Sequence, residues 1–404
     1  MSDIVSVSLI LVSLIIIIGF LSNYQFIRTG LPGILFLILL GFLFGPLFNL
    51  VKPEDVTQYA PYLATLATIL ILFEAGLAMN LKMTFRETPR ALLMTLLHLC
   101  FCTLAVTVFF TSVQIPSLYG ALFGIMISGN SAAVLVPIIH SINVKKEVVT
   151  TITLESTLNN VFQVVSFLAL LGIVASGSID ALIIAQDIAA RFCVGGVIGF
   201  LFGLFWLKIL SKIKKEAYAS MLTIAVLFIS YYISEYLGGD GSLSALLFGI
   251  VLGNERLAFR IINVKTESTV LDAYLVRFES ELAFLIRTFF FVYIGITINI
   301  SNPLWILYGA ILSTILLVMR IAAIYLATIR CQMQSERPLF SSVLARGLNE
   351  AVLSVVFLSY NLPYSDMFQQ VAFIIIIITN LLTTIGVYKF TRTQRQTQND
   401  VTSY

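Results

Sequence analysis

Thirteen apolar runs, most of them close to 20 residues long, follow one another along the chain, with charged residues held mainly to the gaps. An α-helix rises 1.5 Å per residue and a bilayer core is about 30 Å thick, so about 20 apolar residues make one crossing. The runs lie at 4–21, 31–50, 57–80, 91–113, 118–141, 148–175, 180–207, 217–237, 241–253, 281–300, 303–329, 338–361 and 365–388. Of the 404 residues, 59% are hydrophobic and 11% charged, and the mean hydropathy is +0.98. A soluble domain carries about 25% charged residues, and no single soluble core buries this much apolar surface. The pattern predicts an all-α polytopic membrane protein with about 13 transmembrane helices, embedded in a lipid bilayer. It excludes a soluble enzyme and a disordered chain. A net charge of +3 with dispersed basic residues leaves no nucleic-acid footprint. The first run follows Asp3 rather than a basic leader and precedes no small-residue cleavage site, so it reads as a spanning helix.

Charge orients the spans. Nineteen of the 24 basic residues fall on one side when the thirteen runs alternate: Arg28, Lys82, Arg86, Arg90, Lys145, Lys146, Lys208, Lys212, Lys214, Lys215, Arg256, Arg260, Lys265, Arg277, Arg330, Arg337, Lys389, Arg392 and Arg395. Only Lys52 lies opposite. The positive-inside rule then places the N-terminus outside and the C-terminus in the cytoplasm, in a multi-pass cell-membrane protein. Residues 391–404 read as a short, polar, disordered cytoplasmic tail.

Carboxylates inside spans are costly, about 2.5–3.5 kcal/mol each on insertion scales, and face a partner or a pathway. Asp187 has Arg191 four residues on, one helical turn away. Glu235 ends its run. Glu74, Glu155 and Glu350 remain. Two runs are also interrupted by glycine and small polar residues: Ser128-Gly129-Asn130-Ser131 before Ala132-Ala133 in span 5, and Arg346-Gly347-Leu348-Asn349-Glu350 in span 12. Unwound backbone at membrane depth is tolerated only inside protein or a cavity. Interrupted segments at corresponding places in two halves point to a secondary transporter. Their seven-span offset fits two inverted repeats, spans 1–6 and 8–13, with span 7 as a linker; kinked structural helices are the alternative.

Several stretches resemble the monovalent cation:proton antiporter superfamily, the sodium/proton exchangers. Glu155-Ser156-Thr157-Leu158-Asn159-Asn160 is similar to its Glu-Ser-Leu-Leu-Asn-Asp motif, and Leu72-Phe73-Glu74-Ala75-Gly76-Leu77 to its third-span motif. Gly129-Asn130-Ser131 lies where the family has Thr-Asp-Pro. Gly241 to Asn254, Phe290-Phe291-Val292 with Gly295, Arg320 and Arg346-Gly347-Leu348 follow in family order, over most of residues 30–385. The resemblance implies one transmembrane transporter domain over 1–404, an all-α fold of two inverted repeats with crossed broken helices. A core bundle (91–175 and 303–388) would move against a scaffold and dimerisation bundle (1–80 and 180–300), in a homodimer. It implies secondary active exchange of Na⁺, K⁺ or Li⁺ for protons by alternating access, with no enzymatic activity and no cofactor. The cation would be bound by Gly129, Asn130, Ser156, Asn159 and Asn160, with Arg346 and Ser131 in support. Glu155 and Arg320 would form a structural ion pair.

The family's two site aspartates are amides here, Asn130 and Asn160. One unit charge at about 4 Å is worth about 4 kcal/mol at an effective dielectric of 20, roughly a thousandfold in affinity. An amide carries no proton either. Glu350 and Glu74 are the proton-carrier candidates. For Glu350 an ion pair with Arg346, four residues earlier, competes with that role. For Glu74 a structural hydrogen bond competes. A third reading is an antiporter-fold paralogue without proton-coupled exchange: a sensor, a uniporter-like pathway or a carrier of another solute. An intramembrane enzyme is unsupported, because Asp240 in Gly238-Gly239-Asp240-Gly241 has no facing aspartate. His98 and His140 lack metal-ligand spacing, and the four cysteines form no CxxC pair, so no metal site is expected.

Overall fold

The computed structural model describes residues 2–29, 32–79, 89–131, 135, 146–176, 181–213, 216, 218–261, 273–299, 302–329 and 333–402. Among these are sixteen α-helices and no strand. In chain order they are α1 (Ser2–Thr29), α2 (Gly33–Phe42), α3 (Pro53–Thr57), α4 (Ala60–Ala78), α5 (Pro89–Ser112), α6 (Ser117–Met126), α7 (Lys146–Ser176) and α8 (Ala181–Ile213). There follow α9 (Ala219–Tyr236), α10 (Gly241–Gly253), α11 (Glu255–Ile261), α12 (Ala273–Thr297), α13 (Pro303–Ala327), α14 (Arg337–Ser342), α15 (Leu348–Ser359) and α16 (Ser365–Thr402).

Eight of the described helices are long and apolar enough to cross a membrane, or nine if α10 and α11, bent by 92°, count as one span. The other runs give shorter apolar helices: Leu9–Ser22 within α1, Gly33–Leu47, α6 and α15. Each shortening in the last three has a local cause. Pro46 lacks an N–H, so the end of α2 widens into a π-turn over Leu43–Leu47. The helices of spans 5 and 12 are cut at residues 127–131 and 343–347. The polar segment after Phe390 is helical to Thr402, since it holds no proline or glycine to end α16.

The chain forms two compact units, Met1–Pro61 with Thr88–Phe167 and Arg287–Tyr404, and Tyr62–Glu87 with Leu168–Ile286. The first has an aromatic centre in which Phe110, Phe123, Phe357 and Phe368 join α5, α6, α15 and α16. The Phe123 and Phe368 rings lie 4.6 Å apart. The second is built on Phe73, Trp206, Leu207, Leu227 and Phe248, and the Trp206 indole N–H donates to Thr223 Oγ1 at 2.9 Å. Within it, Gly238 takes φ +76° in the turn before α10, and Asp240 caps that helix by accepting from Leu243 N at 2.9 Å. Glu235 is exposed and accepts from Gly241 N at 2.8 Å.

Close glycine contacts repeat under the seven-span offset. In the first unit, α2 and α12 (spans 2 and 10) meet at Gly41 and Gly295, where an added Cβ would strike Val292 O or Ile38 O. In the second, α4 and α10 (spans 3 and 9) meet at Gly76 and Gly249, against Leu246 O and Phe73 O. Spans 2 and 10 become 9 and 3 when the halves are exchanged, as an inverted repeat requires. Gly249→Ala pushes a methyl into backbone that cannot turn aside, and a loss of about 1–3 kcal/mol is expected. The same change at Gly172, which has open space around it, should gain up to about 1 kcal/mol by restoring helix propensity. Thermal melting of the two purified variants checks the pair.

Candidate functional site

The two helix breaks touch. Ser131 N donates to Ala345 O at 2.8 Å, so the backbone of one interruption satisfies that of the other. In the first, Ser128 Oγ accompanies the helix end by donating to Ile125 O at 2.7 Å. Continuation of span 5 through 132–134 and 136–145 lies outside the described residues. In the second, α15 starts at Leu348, so Glu350 sits in its first turn rather than in the unwound stretch. Its Oε2 accepts from Gly347 N at 2.6 Å, and a negative group is favoured at a helix N-terminus.

Arg346, fully buried, binds both breaks. Its Nε donates to Ile127 O at 2.8 Å, and Nη1 donates to Leu344 O at 2.8 Å and to Asn130 Oδ1 at 2.9 Å. Nη2 lies 3.3 Å from His98 Nε2, which must accept because a guanidinium only donates. These contacts occupy the guanidinium, and no contact within 4 Å joins it to Glu350, so the competing Arg346–Glu350 ion pair is not formed. Arg320 on α13 grips Glu155 on α7 with both ends of its fork, Nη1 to Oε1 at 2.6 Å and Nη2 to Oε2 at 2.9 Å, and sends Nε to Phe340 O at 3.2 Å. Both partners are fully buried. Asn130 joins the two charged groups: its Nδ2 donates to Glu155 Oε1 at 3.0 Å while its Oδ1 accepts from Arg346. An amide donates and accepts at once here, whereas an ionised aspartate only accepts.

Asn130 is thus occupied on both amide atoms, and the open oxygens lie elsewhere. Asn159 donates Nδ2 to Ser128 O at 3.3 Å, and Asn380 donates Nδ2 to Arg346 O at 2.7 Å. Each holds one break from its own half of the repeat. Asn159 Oδ1, Asn160 Oδ1, Gln163 Oε1 and Asn380 Oδ1 are all buried with no hydrogen-bond donor. Gln163, fully buried, sends Nε2 to Met126 O at 2.6 Å and to Glu350 Oε1 at 3.3 Å. Gly129 backs this group: a Cβ there would fall on Gln163 Oε1 and Glu350 Oε1 together. Ser156 is buried and donates to Thr153 O of its own helix at 3.1 Å. Ser131 Oγ faces Gly347 Cα. Glu74 lies half-buried on α4, in the other compact unit. The side chain of Asp187 lies outside the described residues.

Sequence reasoning alone misses Gln163 and His98. Gln163 stands four residues after Asn159, on the same face of α7, and that spacing is the signal that could find it. His98 carries none, because its partner is 248 residues away.

The profile of the family described as sodium/hydrogen exchanger, transmembrane, matches residues 10–391. The chain belongs to the sodium/hydrogen exchanger family. Among individual exchangers, it is 24% identical over 383 residues to the K(+)/H(+) antiporter NhaP of Alkalimonas amylolytica, covering 93% of this chain and 64% of that protein. It is 26% identical over 284 residues to the probable Na(+)/H(+) antiporter 2 of Methanocaldococcus jannaschii, covering 68% and 65%. The chain therefore spans just under two thirds of the length of these relatives. Its fold matches the sodium proton antiporter MjNhaP1 of Methanocaldococcus jannaschii, solved at pH 8, with a TM-score of 0.79 at 20% identity, over 97% of this chain and all of that one. With its apolar helices, membership makes this exchanger-family chain a multi-pass membrane protein.

Proposed function

We propose that the chain exchanges a monovalent cation (Na⁺, K⁺ or Li⁺) for protons across the cell membrane by alternating access, with Glu350 as the acid that carries the proton. The observation behind this reading is the position of Glu350. It is buried beside the first helix break, without Arg346 on it, and its Oε1 shares the space over Gly129 with the unpartnered Gln163 oxygen. Two relatives carry Na(+)/H(+) or K(+)/H(+) antiporter in their names. A carboxylate that binds either a cation or a proton couples the two fluxes, because occupancy by one excludes the other. Glu155 cannot take that part while Arg320 holds both its oxygens; the pair is structural. Residues 91–175 and 303–388 move as the core against a scaffold of 1–80 and 180–300, in a homodimer with the N-terminus outside.

Glu350→Gln keeps the size of the side chain and removes the titrating group. Everted vesicles with a pH-sensitive dye are expected to show cation-induced proton movement with the unaltered chain, and at least a hundredfold less with Glu350→Gln. Undiminished exchange in the variant would assign the proton to another group. No cation response from the unaltered chain would overturn exchange itself.

A further inference from the structure

We propose that the Gln163 carboxamide oxygen is a ligand of the transported cation and, when the cation is absent, accepts the hydrogen bond of protonated Glu350. The proposal rests on the reading of Glu350 as the exchanging carboxylate. Gln163 cannot turn its amide round: with Nε2 on Met126 O at 2.6 Å, the flipped form would press oxygen against oxygen. Its Oε1 is therefore held, buried and undonated. Such an acceptor is costly unless something visits it. The visitor's place is marked by Gly129, since a methyl on that residue would overlap Gln163 Oε1 and Glu350 Oε1 alike. Asn159 Oδ1 and Asn160 Oδ1, also buried without donors, stand one turn earlier on the same face of α7.

The set comprises neutral amide oxygens and one carboxylate, with no nitrogen or sulfur ligand. Hard oxygen donors suit hard cations, and one negative charge balances a single positive one. The exchange step balances as well. With the proton on Glu350 Oε1, the O–H donates to Gln163 Oε1 and the site is neutral. When the cation enters, the O–H bond breaks and the proton leaves to water. The Glu350 oxygen and Gln163 Oε1 then both face the cation, and the site is again neutral. Gln163 thus serves both states: its N–H steadies the carboxylate and its C=O receives the acid or the ion.

The test uses the purified full chain in liposomes, with half-saturating Na⁺, K⁺ and Li⁺ read from pH-dye traces and folding checked by thermal melting. Gln163→Met keeps the volume and removes the oxygen. It should raise the half-saturating concentration of the preferred cation at least about tenfold, the weight of one lost polar contact. Gln163→Glu keeps an oxygen there and loses the N–H; the oxygen that then faces Met126 O must carry a proton to donate to it, and in that form the variant should half-saturate within a few-fold of the unaltered value. Unchanged half-saturation in Gln163→Met overturns the ligand role. So does a Gln163→Glu variant as impaired as Gln163→Met, which would mean that Gln163 acts only through its N–H. Should Gln163→Met fail to fold, the Gln163→Glu arm decides alone. Loss of exchange in Glu350→Gln with unchanged Gln163→Met sinks this proposal only; undiminished Glu350→Gln sinks the carrier reading beneath it.

Discussion

Glu155→Gln is expected to cost about 3–5 kcal/mol of stability, the range for breaking one side of a buried ion pair. Arg320 has no solvent to fall back on, because both partners are fully buried. Its two fork contacts to Glu155, at 2.6 and 2.9 Å, would become at best one neutral acceptor. The damage spreads, since Asn130 Nδ2 also leans on Glu155 Oε1 and Asn130 in turn positions Arg346. Replacing both partners, Glu155→Gln with Arg320→Met, should recover a substantial part of the loss, because no charge is then stranded. Melting of the three variants in detergent checks this. Equal losses for the single and the double variant would show that Arg320 is sustained by something other than Glu155.

Gly129→Ala is expected to abolish exchange while leaving most of the fold in place. The new methyl would occupy the spot on which Gln163 Oε1 and Glu350 Oε1 converge. One or both side chains would have to retreat, and Gln163 is tied by its bond to Met126 O. Overpacking a tight core costs about 1–3 kcal/mol, so some thermal destabilisation accompanies the change. The decisive reading is transport: loss of at least a hundredfold in rate, not rescued by raising the cation concentration. Exchange retained within a few-fold would mean that the cation and proton do not meet over Gly129.

Different parts of this molecule are legible in its sequence to different degrees. The helices are plain, because apolar stretches such as 303–329 and 365–388 have one low-energy solution in lipid; α13 follows the hydropathy closely, and α16 starts with it but continues through the polar segment to Thr402. The interruptions at Gly129 and Gly347 are visible as small polar residues in apolar surroundings. The partners of the charged groups are harder. Arg346 and Glu350 are four apart, which suggests a pair on a helix, yet the chain unwinds before Gly347 and the spacing ceases to apply. Arg346 reaches instead to Asn130 and His98, 216 and 248 residues away. Asn130 and Asn160 look alike as amides in place of aspartates. They differ in surroundings: the first is engaged by two charged residues, while the second has a buried oxygen without a donor. Nothing local in the sequence distinguishes them.

The short bond from Ser131 N to Ala345 O, with the Arg346 clamp on Ile127, Asn130 and Leu344 around it, has a kinetic meaning. Sliding one interruption past the other would forfeit several buried bonds at once, those from the charged donor worth about 1.5–3 kcal/mol each. The two segments therefore travel as a single piece. On the exchange proposed above, access to either face of the bilayer would change by displacing that whole piece rather than by opening a door between its halves.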